Sequence, residues 1–161
     1  MHLRPRESSF FKLDADIRYK LNRSDSIRLV LPCASLHLAA HLGFHRVAGW
    51  LITTFSQDVN ASYGSYCNTP LHIASGKGRF MVVQVLLEHF ASVNARNINV
   101  WTPLHMASWH GYPNIARVLL EHEANVNLKN ETGMTPLWLL SETRRSHKCC
   151  LSTVQIRMFG P

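Results

Sequence analysis

The chain carries little with which to do chemistry. Its ten acidic residues are few and scattered over 161 positions. No Gly-rich phosphate loop, no Gly-x-Ser-x-Gly elbow and no His-Glu-x-x-His occurs, so the usual ways of cradling a phosphate, exposing a nucleophile or holding a catalytic metal are missing. The four cysteines, Cys33, Cys67, Cys149 and Cys150, show no Cys-x-x-Cys pair and no zinc-ligand spacing. They read as reduced thiols, and no cofactor and no metal is implied. No apolar run approaches the roughly 18 residues needed to span a bilayer. The N-terminus, with Arg4, Arg6 and Glu7, lacks the unbroken apolar stretch of about 7–15 residues of a signal peptide. The expectation is a non-enzymatic protein of the cytoplasm, the nucleus or both, without a membrane span.

What is present is enough apolar material for a core. The chain is 46% hydrophobic and 17% charged, outside the range of compositional disorder. Its net charge of +7 suggests nucleic acid until it is mapped. Residues 1–32 hold seven Lys/Arg against four Asp/Glu, residues 33–140 six against five, and residues 141–161 four against one. The excess sits in the two ends rather than on a face of the middle, whereas a nucleic-acid footprint is a contiguous stripe.

The middle is periodic. Thr69-Pro70-Leu71-His72-Ile73-Ala74 recurs as Thr102-Pro103-Leu104-His105-Met106-Ala107 and, altered, as Thr135-Pro136-Leu137-Trp138-Leu139-Leu140. Each copy starts 33 residues after the last, the mark of a stack of small units. Residues 69–95 and 102–128 agree at 15 of 27 positions. Within a unit, Thr caps a helix and Pro at its first turn loses no hydrogen bond it could have made. Gly78 and Gly111 end the short first helix. Pro113-Asn114 opens a second, on which Ile115, Val118, Leu119 and Leu120 form an apolar stripe. A diverged unit precedes these, with Ser35-Leu36-His37-Leu38-Ala39-Ala40 in the place of the block and Asp58-Val59-Asn60 closing it.

The period of 33, the Thr-Pro-Leu-His-x-Ala block, the Leu-Leu-Glu-His stretches and the Val-Asn exits resemble the ankyrin repeat family over about residues 33–140. The resemblance implies an all-α solenoid in which each unit is a helix–turn–helix followed by a projecting β-hairpin-like loop, and no unit buries its apolar face alone. The units are 33–62, 63–95, 96–128 and a partial 129–140. Residues 1–32, with a helical spacing of Leu13, Ile17 and Leu21 over about 12–22, read as an N-terminal cap; residues 141–161 read as a degenerate cap or a disordered tail. In place of the family's glycines stand Phe90 and Glu123 after the second helices, and Cys67 and Val100 in the loops. Backbone strain is expected at all four. The repeated histidines His37, His72 and His105 are expected to hydrogen-bond backbone between units rather than catalyse, since an active site is needed once and buried polar groups must be paired. Trp50 and Trp138 read as core.

The resemblance also implies a concave binding side, lined by loop tips and by the C-terminal ends of the first helices. Residues there that the framework does not explain are Tyr66, Asn68 and Lys77 in the second unit, Ile98, Asn99, Trp101, Trp109 and His110 in the third, and Met134 in the fourth. Trp101 and Trp109 are the kind of large anchors that dominate interfaces, with Lys77, Arg96 and Lys129 as a rim. The expected function is that of a monomeric protein–protein interaction module (adaptor, scaffold or recruitment subunit) with another protein as partner. The alternatives are a nucleic-acid or chromatin-associated factor using its basic ends, and a truncated array without a function of its own.

Overall fold

The computed structural model describes residues 32–146, and these form seven helices and no strand. They are α1 (Pro32–Leu42), α2 (His45–Phe55), α3 (Pro70–Gly76), α4 (Phe80–Glu88), α5 (Pro103–Trp109), α6 (Pro113–Glu121) and α7 (Pro136–Ser146). The proposed N-terminal cap, but for Pro32, and the basic stretch from 147 onward lie outside the described residues. No described helix is long and apolar enough to cross a membrane.

The helices alternate between two layers. In the first, α5 packs between α3 and α7; in the second, α4 packs between α2 and α6, and across the layers α3 packs on α4 and α5 on α6. Sequence dictates this arrangement directly. The leucine of each block, Leu36, Leu71 and Leu104, is fully buried, and the alanine three residues on (Ala39, Ala74, Ala107) lets neighbouring helices approach. From the second layer Val82, Leu86, Ile115 and Leu119 meet them in one continuous core. Truncating one such leucine to alanine typically costs about 2–5 kcal/mol.

Helix starts and stops follow the local chemistry. Thr69 and Thr102 cap α3 and α5, each in a capping box closed by the histidine at the third helical position, where Glu or Gln more often serves. The first helices end on a left-handed glycine, Gly78 (φ +70°) and Gly111 (φ +72°). At Gly78 there is a second reason for glycine, since a Cβ there would lie 2.7 Å from the Tyr112 ring of the next unit.

The four strained positions expected from the sequence are all left-handed: Cys67 (φ 51°), Phe90 (φ 62°), Val100 (φ 60°) and Glu123 (φ 64°). Ser56 (φ 48°) is a fifth, at the matching end of α2. The fold keeps its backbone path and carries the strain, about 1 kcal/mol at such a site.

Trp138 is a correction. It stands where His72 and His105 stand in earlier units, yet its ring is half-exposed, as is Leu137 beside it. In the earlier units the following loop covers this position, and after α7 no such loop exists among the described residues. Trp50, by contrast, packs against the core and meets Phe55 edge-on with ring centroids 4.9 Å apart. The last helix also runs through Ser146, six residues beyond the end at 140 of the partial fourth unit.

Candidate functional site

Each loop is built on one turn. The N–H groups of Cys67, Val100 and Gly133 donate to the carbonyls of Gly64, Asn97 and Asn130 three residues earlier. Successive loops are then joined at the period of the sequence: Ile98 N–H donates to Tyr66 O at 3.0 Å, and Glu131 N–H to Asn99 O at 3.3 Å. Tyr66, Ile98 and Asn99 are therefore held in register through their backbones while their side chains are left to other uses. Tyr66 and Ile98 are exposed, about 60% each.

The histidines bind the loops to the first helices. Thr69 N–H and its hydroxyl both donate to His72 Nδ1, at 3.2 and 2.8 Å. A backbone N–H can only donate, so Nδ1 carries no proton, and Nε2–H donates to Trp101 O at 2.9 Å. His105 repeats this with Thr102 and the Met134 carbonyl, at 3.1, 2.8 and 3.2 Å. His37 Nε2 lies 2.9 Å from Asn68 O. The three acceptors, 33 residues apart, are the last loop residues before each helix, so the side chains of Asn68, Trp101 and Met134 are aimed by this bond. Burial pushes the His72 ring down to about 4, opposing its hydrogen bonds, and lowers His105 as well. Both rings are neutral structural clasps.

Two asparagines that the sequence reading passed over finish the loops. Asn97 Oδ1 accepts from the N–H groups of Asn99 and Trp101, at 3.1 and 2.9 Å. Asn130 Oδ1 does the same for Thr132 and Met134, at 3.1 and 2.9 Å. Because the oxygen is fixed by these donors, the amide nitrogen must point away from the loop. Nδ2 of Asn97 donates to Asn68 Oδ1 at 2.9 Å. Nδ2 of Asn130 is buried and has no hydrogen-bond partner. The 33-residue recurrence of Asn97 and Asn130 was the signal that could have found them.

The aromatic centre lies where the third loop meets the end of α5. The Trp101 and Trp109 rings meet edge-to-face with centroids 5.8 Å apart, and Trp101 lies 6.0 Å from the His105 ring. Trp101 is half-buried by these contacts, whereas Trp109 is 50% exposed. His110 follows Trp109 at the helix end. A Cβ on Gly76 would touch its ring, so the ends of α3 and α5 lie side by side. Burial lowers the His110 pKa, and the neighbouring Lys77 charge lowers it further. Lys77 is exposed; Asn99 and Met134 are half-buried. Asn68 has its side-chain oxygen engaged within the fold, so part of its identity is framework after all. Direct contacts thus gather Tyr66 with Ile98, and Trp101 with Trp109; His110 and Lys77 adjoin the second pair.

Loops in register, a histidine clasp at every turn and two helical layers at a 33-residue period find their counterpart among known families. The family model for ankyrin repeats (3 copies) matches residues 36–130 and 97–152, most of the chain. The chain belongs to the ankyrin repeat family. No curated protein matches it at a significant level. Ankyrin repeats are generally protein–protein interaction modules and typically non-enzymatic.

Proposed function

We propose that this ankyrin array is a rigid protein-binding module, recognising its partner across the face made by the loops and first-helix ends of the second to fourth repeats. Recognition rests on Tyr66, Asn68, Lys77, Ile98, Asn99, Trp101, Trp109, His110 and Met134, and no bond is made or broken. One observation carries the reading above the others. Two tryptophans stand edge-to-face at a loop–helix junction, one of them half-exposed, on a backbone held by the loop turn, the bonds between loops, the histidine clasp and the asparagine side chain. Large exposed aromatics on a rigid support are the usual anchors of an interface, because little entropy is lost when they bind. The module acts as a monomer in the cytoplasm or nucleus, as an adaptor or recruiting subunit.

The test is affinity capture from cell lysate with wild type and with the Trp101→Ala/Trp109→Ala variant, helicity being matched by circular dichroism. Loss of specific captured proteins from the variant is the expected result. Capture of the same set by both sinks the reading.

A further inference from the structure

We infer that the loop face takes an acidic partner segment, one in which carboxylates flank an apolar side chain seated on Trp101 and Trp109; this rests on the reading of the face proposed above. The linear count of charge over residues 33–140 comes to only +1 and hides a separation between surfaces. On the loops and first-helix ends stand Lys77, Arg96 and Lys129, all exposed, against Glu131. On the second helices and the turns that flank them stand Arg46, Arg79 and Arg117 against Asp58, Glu88, Glu121 and Glu123. Glu142, which stands on α7 where Trp109 stands on α5, lies just past that count and adds one negative charge, so the loop side is +1 and the other side −1.

The cations also bracket the aromatics. Lys77 follows Gly76, which abuts the His110 ring next to Trp109. Arg96 precedes Asn97, whose side chain holds the Trp101 N–H, and its charge reaches His105, the ring beside Trp101. Among the described residues no carboxylate forms an ion pair with Lys77, Arg96 or Lys129, whereas Arg79 is engaged with the His41 carbonyl at 3.0 Å. Unpaired cations beside a desolvating aromatic surface favour carboxylates, first by steering encounter and then by charge-assisted hydrogen bonds.

Nucleic acid fits less well. Glu131 interrupts the row of cations, and the edge-to-face pair turns one ring face of a tryptophan onto its neighbour, leaving no stack of parallel faces for successive bases.

The experiment is selection of a random dodecamer display library on the full chain, followed by titration of a synthetic copy of an enriched peptide. The expected peptides are net negative around an aromatic or aliphatic residue. Their affinity should fall about tenfold or more in Lys77→Glu/Arg96→Glu, and several-fold between low and high salt. Neutral or basic peptides that ignore the charge reversal but are lost with Trp101→Ala/Trp109→Ala overturn the acidic inference and leave the proposed face standing. Peptides indifferent to the tryptophans overturn the face itself. Failure to enrich any peptide, with or without binding of single-stranded poly-uridine, also overturns the inference.

Discussion

Trp101 stands, one repeat on, in the place of the side chain from which Asn130 should receive an acceptor. In the preceding repeat Asn97 Nδ2 donates to Asn68 Oδ1 at 2.9 Å, while Asn130 Nδ2 is buried with no partner. A buried amide left unsatisfied costs about 1–3 kcal/mol. The framework thus gives up a hydrogen bond where the aromatic pair is placed.

It follows that Trp101→Asn should be more stable than Trp101→Ala. Both lose the ring, but asparagine restores the acceptor seen at Asn68, and the difference should be about 1 kcal/mol. Urea denaturation of the two variants measures it. Equal midpoints would mean that the Asn130 amide is satisfied in some other way.

Acid should loosen the stack before its carboxylates titrate. The His72 ring sits at about 4 in the fold because burial favours the neutral form, against 6.5 when exposed. A lowered pKa contributes stability that is fully present above 6.5 and is lost as pH falls toward 4. Between pH 7.5 and 5 this amounts to roughly 2 kcal/mol from His72, and His105 acts in the same direction. Denaturation at both pH values should show the loss, and His72→Gln, which keeps a capping-box residue at the third helical position, should show a shallower one. An identical pH slope in the variant would remove His72 from the account.

Phe90 is 89% exposed and left-handed, so its side chain adds strain without burial. Phe90→Gly should raise stability by about 1 kcal/mol, and Glu123→Gly by a similar amount. Thermal melts would check this; a lower melting temperature for Phe90→Gly would show that the ring makes a stabilising contact.

The opposite substitution should fail at Gly78. Alanine there would meet the Tyr112 ring at 2.7–2.8 Å and carry a positive φ, which together should cost about 1–3 kcal/mol. Unchanged stability in Gly78→Ala would mean that Tyr112 moves aside freely.

Whatever repeats was legible in the sequence. Thr-Pro-Leu-His fixed the caps, the clasp and the first layer, and Phe90, Glu123, Cys67 and Val100 could be recognised as strained because glycine was expected there. Residues whose meaning depends on a neighbouring repeat were not legible. Asn68 reads as a loop-tip residue until Asn97 is seen bonded to it. Trp138 reads as core because its equivalents are core, yet it stands half-exposed, with no following loop among the described residues. Separation of charge between the two sides vanishes in a linear count, since residues of one repeat such as Lys77, at the end of a first helix, and Glu88, at the end of a second, belong to different surfaces.

The four tryptophans offer the most direct measurement, because Trp101 and Trp109 lie on the loop face, Trp50 on the second layer and Trp138 at the last helix. Their indole N–H signals can be followed by nitrogen–proton correlation spectra as a captured partner or enriched peptide is added. Shifts at Trp101 and Trp109, with Trp50 unmoved, are the expected result. Shifts at Trp50 with Trp101 and Trp109 unmoved would contradict the loop face as the working surface of this ankyrin array.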